Sequence, residues 1–326
     1  MKLAVFSYRD DEIEFFDKFC GEKNIDVTYF KSAPSKENIS SLDGCSAVSV
    51  ITTPIDKELI DAFYAAGVRF ISTRTIGYDH IDINYAHSLG MGIGNVTYSA
   101  NSVAEYAVML ILMANRKIKT IMNRSIGQDY SLAHVRGVEL RNQTVGVIGT
   151  GNIGRKVIQN LSGFGCRILA FDKYENPEAA KLATYVDLDT LFANSDVITF
   201  HIPADESNYH MINEETFAKM KDNVTIINTA RGTLIDNSAL IKAVETGKVG
   251  AAALDVVENE SAIYYKDFKY KPVGHHDMAI LNSFPNVIML PHTAFFTDMA
   301  VSDMVEHSVN SCIKFINNES DPHRVI

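Results

Sequence analysis

Three kinds of side chain in the second half of the chain stand where they could do chemistry together. They are Arg231 in 228-NTARGTLID-236, the carboxylates of 253-ALDVVENE-260, and His292 in 289-MLPHTAFFT-297. Each follows an apolar run that reads as a buried strand: TIINTA (225–230), AAALDV (251–256) and VIML (287–290). In open α/β sheets, ligands bind beyond the carboxyl ends of the strands. One guanidinium, several carboxylates and one imidazole therefore converge on one sheet edge. Given a nicotinamide beside them, these are the parts for hydride transfer to a 2-keto acid. An arginine fork holds a carboxylate in one bidentate geometry. A protonated histidine donates to the developing alkoxide, and a carboxylate paired with it stabilises its charged form.

Each residue also has an ordinary reading. A strand-end arginine is often half of a structural ion pair, and most of the ten histidines must be structural. Glu258 and Glu260 are both available, and residue chemistry does not choose between them. His201 also follows a strand, and there it suits cofactor lining as well as acid catalysis. In His275-His276-Asp277, adjacent side chains diverge and no further ligand is evident, so a solvated loop is expected and no metal site.

The nicotinamide needs a dinucleotide site, and 144-TVGVIGTGNIG-154 supplies one. The spacing Gly149-x-Gly151-x-x-Gly154 is weak evidence alone. Here it follows a strand and opens a helix, which gives the glycines a tight turn, a close approach to pyrophosphate, and helix–strand packing to provide. The phosphates would sit at the positive helix N-terminus. The next strand, RILAFD (167–172), ends in Asp172, which suits a ribose diol and repels a 2′-phosphate. The cofactor expected is NAD.

The elements that must position these groups run the length of the chain. KLAVFS (2–7), DVTYF (26–30), AVSVIT (47–52), RFISTR (69–74) and GIGNV (92–96) form a first series of strands. A second series of six begins at TVGVIG (144–149) and includes RILAFD and DVITFHI (196–202). Helix-length segments between them predict α/β architecture: two Rossmann-like/flavodoxin-like parallel-sheet domains with a cleft between them. A long helix over 99–118, capped by Ser99 or Asn101, is apolar almost all round and must be buried. A polar connection follows over roughly 120–143. A last helix, 297–316, starting at Thr297 with Asp298, returns the chain to the first domain. The expected division is a discontinuous substrate-binding domain (1–98 and 296–326) around a dinucleotide domain (99–295).

The 326 residues carry 40 acidic and 30 basic side chains, a formal charge of −10, which argues against nucleic acid or an anionic membrane as partner. The N-terminus does not read as a signal peptide, and the longest apolar run, 106–114, is too short to span a bilayer. Four scattered cysteines form no disulfide framework, so a reducing cytoplasm is expected.

With these residues in view, the chain resembles the D-isomer-specific 2-hydroxyacid dehydrogenases. TVGVIGTGNIG, HIPADESNYHMIN, NTARGTLID, AAALDVVENE and LPHTAFFT look like that family's motifs in its order, over essentially the whole chain. The resemblance implies an active site in the cleft, a homodimer built largely through the dinucleotide domains, and a triad of Arg231, Glu260 and His292. It selects Glu260, five residues after Asp255, over Glu258. It also places Asn152, Ile153, Asp172, Ile202, Pro203, Asn208, Thr229, Ala230 and Asp255 against the cofactor. STRTIGYDHID resembles the family's substrate loop, so Ile76 and Gly77 would offer backbone N–H groups to the substrate carboxylate. HTAFFT looks like the D-lactate dehydrogenase branch, and STRTIGYDHID with NVTYSANSVAEY looks like its vancomycin-resistance-associated members. Phe295 and Phe296 would then limit the substrate side chain, with Tyr98 opposite.

Two departures stand out: Thr97 where many members carry proline, which could reshape loop 96–101, and the lack of any tryptophan. The resemblance leads to reduction of pyruvate to D-lactate by NADH. Larger 2-keto acids such as 2-ketoisocaproate or phenylpyruvate are the alternative, since a methylene or two is worth only ~1–3 kcal/mol. A non-catalytic NAD-sensing protein is a further one.

Overall fold

Apolar, β-branched runs become parallel strands where helices can cover both faces of the sheet. In the computed structural model, which describes residues 2–326, they do so twice. The chain divides into two compact units, Met1–Ser99 with Phe296–Ile326, and Ala100–Phe295.

The first unit has five parallel strands: β1 (Lys2–Phe6), β2 (Asp26–Phe30), β3 (Cys45–Val50), β4 (Phe70–Thr73) and β5 (Gly92–Gly94). Their order is β2-β1-β3-β4-β5, the flavodoxin-like arrangement. The helix Asp298–Ile316 covers one face, packing Val305, Val309 and Cys312 with Leu3, Val5 and Phe70. It starts where a cap was expected, with the Thr297 hydroxyl accepting from Ala300 N at 3.3 Å. The C-terminal segment joins the same sheet, Val325 N donating to Ile93 O at 2.8 Å.

At the carboxyl end of β4 stands a charge pair that no sequence pattern announced. Arg74 and Glu12 are both fully buried. Arg74 donates from Nε and Nη2 to the Glu12 carboxylate at 3.0 and 3.2 Å, from Nη1 to Ser49 Oγ at 3.0 Å, and from Nη2 to Phe6 O at 3.1 Å. Burial of a pair like this is tolerated because its hydrogen-bonding capacity is met.

The second unit has seven parallel strands: β6 (Thr144–Ile148), β7 (Arg167–Phe171), β8 (Thr184–Tyr185), β9 (Val197–Phe200), β10 (Val224–Asn228), β11 (Val249–Leu254) and β12 (Val287–Met289). The order β12-β11-β10-β9-β6-β7-β8 reverses between β6 and β9, the switch point where dinucleotides bind. Six of the seven are the expected second series. β8 is two residues long, too short to show any periodicity.

The long apolar helix is shorter than its pattern suggested, Ala100–Asn115. Ala104, Ala107, Leu110 and Ile111 are fully buried in a core shared with Val157, Ile158 and Leu161. Lys117, in the left-handed region at φ 53°, then turns the chain into a second helix, Ile118–Ile126. The polar connection expected over 120–143 therefore opens as a helix. No residue of that helix is fully buried, and its apolar positions Ile118, Ile121, Met122 and Ile126 fall at helical spacing within an otherwise polar stretch.

Candidate active site

The turn from β6 into the helix Asn152–Ser162 is shaped by its glycines. Gly149 has φ +95°, and a Cβ there would come within 2.5 Å of His201 O. A Cβ on Gly154 would lie 1.9 Å from Gly149 O. Gly151 precedes the first helical turn, and nothing stands within 4 Å of where its Cβ would be. Two glycines thus close the turn and pack the helix, while the third leaves it open where the helix presents unpaired N–H groups. Asn152 and Ile153 form the start of that helix, and Arg155 Nη2 donates to Asn152 Oδ1 at 2.6 Å.

Asp172 follows β7 directly. Its Oδ2 accepts from Thr150 N at 2.6 Å and Thr150 Oγ1 at 3.1 Å, and its Oδ1 accepts from Tyr174 N at 3.2 Å. The hydroxyl of Tyr185, on β8, donates to Thr150 Oγ1 at 2.7 Å. The acidic group is thereby fixed beside the glycine turn. After β9, Asn208 braces the loop that holds Ile202 and Pro203, donating to Pro203 O at 2.8 Å and accepting from Asp205 N at 2.9 Å.

Among the described residues, three buried polar side-chain atoms lack a hydrogen-bond partner: His201 Nδ1, Thr229 Oγ1 and the Tyr264 hydroxyl. All three lie in segments leaving the carboxyl ends of β9, β10 and β11. Buried polar atoms are rarely left alone, so this edge suits a polar ligand. Burial pushes His201 down to about 3, and its ring is neutral at pH 7. An open helix N-terminus, a fixed carboxylate and orphaned polar atoms on one edge fit a dinucleotide.

Arg231 follows β10 in an extended conformation (φ −140°, ψ 141°). Its backbone is pinned by Asn228, whose Nδ2 donates to Arg231 O at 2.8 Å and whose Oδ1 accepts from Ala230 N at 3.0 Å. The next residue, Gly232, lies against the neighbouring loop, where a Cβ would stand 2.1 Å from the carbonyl carbon of Val257.

Asp255, just after β11, is fully buried. Its two carboxylate oxygens accept from Thr293 N and Ala294 N, each at 2.9 Å, and its backbone carbonyl accepts from His292 N at 2.8 Å. Burial raises its pKa, opposed by the two amides. Its carboxylate thus fastens the His292 loop. Tyr106, on the helix Ala100–Asn115, pairs with Thr293 Oγ1 at 2.8 Å, and the Tyr265 hydroxyl donates to His292 O at 2.8 Å. His292 is held at φ +54°.

The two glutamates part company. Glu260 Oε1 is hydrogen-bonded to His292 Nδ1, and Oε2 accepts from Val257 N at 2.8 Å. Glu258 Oε2 faces His210 Nε2 at 2.9 Å, and Oε1 accepts from the Tyr209 hydroxyl at 2.9 Å. Phe295 meets the His292 ring edge-on, centroids 6.4 Å apart. The expected solvated loop at 275–277 is instead a helix start. His275 caps His276–Ser283, its Nδ1 accepting from Met278 N at 3.2 Å and its Nε2 donating to Glu258 O at 2.7 Å.

In the first unit, the loop after β4 has both carbonyls of interest tied back. Thr75 Oγ1 donates to Gly77 O at 2.6 Å, and Asn95 Nδ2 to Ile76 O at 2.8 Å. Tyr98 is flanked by anchors: His307 Nδ1 donates to Thr97 O at 2.6 Å, and Ser99 N donates to Asp303 Oδ2 at 2.9 Å. Thr97, the departure from proline, pairs its hydroxyl with His323 Nε2 at 3.0 Å. Phe296 is about half exposed, with the Arg9 guanidinium 5.4 Å from its ring centroid. The boundary between the units passes between the two phenylalanines, so Phe295 and Phe296 belong to different bodies.

Residues 108–294 match the family model described as "D-isomer specific 2-hydroxyacid dehydrogenase, NAD binding domain". A "D-specific alpha-keto acid dehydrogenase" of Enterococcus faecalis is 40% identical over 316 residues, covering 97% of each chain. An "Aromatic 2-oxoacid reductase" of Clostridium sporogenes is 39% identical over 321 residues, covering 97% of this chain and 96% of that one. The crystal structure of a D-lactate dehydrogenase from Treponema pallidum superposes with a TM-score of 0.90 at 32% identity, over 100% of both chains.

Proposed function

The chain belongs to the D-isomer-specific 2-hydroxyacid dehydrogenases, NAD-dependent oxidoreductases, and from that premise we propose that it reduces pyruvate to D-lactate. The observation that carries this reading is the hydrogen-bonded pair of Glu260 and His292 on the same sheet edge as a glycine turn built for a dinucleotide.

When bound, NADH supplies the hydride. Gly149, Gly151, Asn152, Ile153 and Gly154 hold its pyrophosphate, and Asp172 takes the adenosine ribose diol. Ile202, Pro203, Asn208, Thr229, Ala230 and Asp255 line the rest of the cofactor. The Arg231 fork binds the substrate carboxylate and polarises the keto group. Ile76 and Gly77 offer backbone N–H groups to the same carboxylate. His292 gives the proton on Nε2 to the alkoxide oxygen as it forms, while Glu260 holds Nδ1 and so fixes the ring's orientation. In the reverse direction the neutral ring accepts that proton. Tyr98, Phe295 and Phe296 limit the substrate side chain.

A wider substrate range is the second reading, favoured by relatives named for aromatic 2-oxoacids and for α-keto acids, 39% and 40% identical to this chain. A homodimer formed through the second unit and a cytoplasmic location belong to the same proposal. The dimer is supported by the exposed apolar side chains Met122, Ile126 and Leu132 on and after the helix Ile118–Ile126.

The test follows loss of NADH absorbance with pyruvate, 2-ketoisocaproate, phenylpyruvate and hydroxypyruvate side by side, with the configuration of the product. The highest kcat/KM on pyruvate with D-lactate as product is the expected result. A preference for the bulky acids keeps the mechanism and replaces the substrate. No turnover on any of them overturns the enzyme reading in favour of an NAD-sensing protein.

A further inference from the structure

Glu258 performs none of the chemistry above, yet three loops meet on it. Its carboxylate receives the Tyr209 hydroxyl on Oε1 and pairs with His210 Nε2 on Oε2, both at 2.9 Å. Its backbone carbonyl accepts from His275 Nε2 at 2.7 Å. Its amide nitrogen lies under Gly232, where a Cβ would stand 2.3 Å from it.

The partners are themselves constrained. Tyr209 and His210 stack with ring centroids 3.9 Å apart and planes 16° from parallel. His210 stands in the left-handed region at φ +49°, which a residue with a Cβ adopts against its preference. Its N–H donates to Thr233 O at 2.9 Å, and its carbonyl accepts from Asn213 Nδ2 at 3.0 Å. The surroundings thus hold His210 against its own preference and turn its ring toward Glu258.

We propose that Glu258 is a positioning residue, the latch between the cofactor loop 202–208 and the segment that carries Glu260, with the Arg231–Gly232 turn clamped between them. The inference rests on the reading of those residues given under the proposed function. Tyr209 and His210 immediately follow Asn208, and Glu258 stands two residues before Glu260. The latch therefore joins the cofactor loop directly to the segment that carries Glu260. Two donors from one loop engage both oxygens of one carboxylate, which fixes direction as well as distance.

The test compares Glu258→Ala, His210→Ala and the double variant with wild type. The readings are NADH Kd by fluorescence titration, kcat and KM for the keto acid, and the fraction of sites that bind NADH. Tyr209→Phe serves as a milder variant should the alanine forms fold poorly. Each single variant is expected to raise NADH Kd and keto-acid KM about fivefold, with the double no worse than either single, as partners in one interaction behave. Tyr209→Phe moves the same two quantities in the same direction. A merely structural contact would instead lower the binding-competent fraction and leave Kd and KM of that fraction at wild-type values, which overturns the latch. Effects that multiply in the double variant overturn it too. NADH affinity is read without turnover. A wild type that reduces no keto acid would sink the proposed function, while the Kd comparison still decides the latch.

Discussion

His292 occupies a backbone conformation that a histidine adopts at a cost, φ +54°, and the residues around it explain how it is kept there. Asp255 accepts three consecutive N–H groups, those of His292, Thr293 and Ala294, and Tyr265 takes the carbonyl. With the backbone fixed and Nδ1 on Glu260, the ring has little freedom. His292→Gln is therefore expected to lower kcat by roughly 10²–10⁴-fold, the usual range for a lost general acid, with KM for the keto acid little changed. Arg231→Lys replaces a planar fork by a point charge, and should raise KM for the keto acid tenfold or more while NADH Kd stays near wild type; on the order of 1.4 kcal/mol per tenfold is the loss being measured. Steady-state kinetics with fluorescence titration separates the two. His201 makes a prediction about pH. Its folded pKa lies below the unfolded value, so between about 3 and 6.5 the unfolded chain binds the extra proton and stability falls as pH falls. His201→Asn should flatten that dependence, read by urea unfolding at pH 7, 6, 5 and 4; an unchanged slope would contradict the assignment. At this scale the sequence was readable for position along the sheet: Arg231 and His292 stand just beyond the ends of β10 and β12, as their apolar runs suggested. It was mute where the decision is made in space. Glu258 and Glu260 have the same chemistry and nearly the same position, and only the paths of three loops separate their partners. Arg74 and Glu12 meet from 62 residues apart, with no local pattern to mark the pair.

Among the elements, the glycine turn transmits most to function. A Cβ at Gly154 would lie 1.9 Å from the backbone oxygen of Gly149, and neither atom is at the flexible end of a side chain. Gly154→Ala should therefore shift the helix off its strand and raise NADH Kd by about tenfold or more (~1.4 kcal/mol), whereas Gly151→Ala, with open space around it, should leave stability unchanged and weaken NADH alone. Thermal unfolding with and without NADH distinguishes them. The strands were legible because a parallel sheet covered on both faces writes itself as continuous apolar runs. β8 was not, having two residues, and Ile118–Ile126 was hidden because its four apolar positions stand among polar residues and two of them, Met122 and Ile126, are exposed. The break between the two helices lies at Lys117, whose left-handed φ of 53° has no residue-type signature such as glycine would give.

For the whole molecule, the decisive feature is that the first unit is assembled from both ends of the chain. Removing residues 296–326 should leave that unit unfolded while Ala100–Phe295 keeps its NADH site; limited proteolysis and NADH binding on the truncated chain check both halves of the statement. The face made of Leu3, Val5 and Phe70 is covered by Val305, Val309 and Cys312, and those residues are made only after the whole second unit. At ribosomal rates of 5–20 residues per second, synthesis of the intervening unit takes roughly 10–40 s. During that interval the first five strands have emerged without the helix that completes their core, while the cofactor-binding unit can already close. The order in which the two units can close is thus the reverse of the order in which they begin, and the growing chain must keep an unfinished apolar sheet from finding other partners until its closing helix arrives.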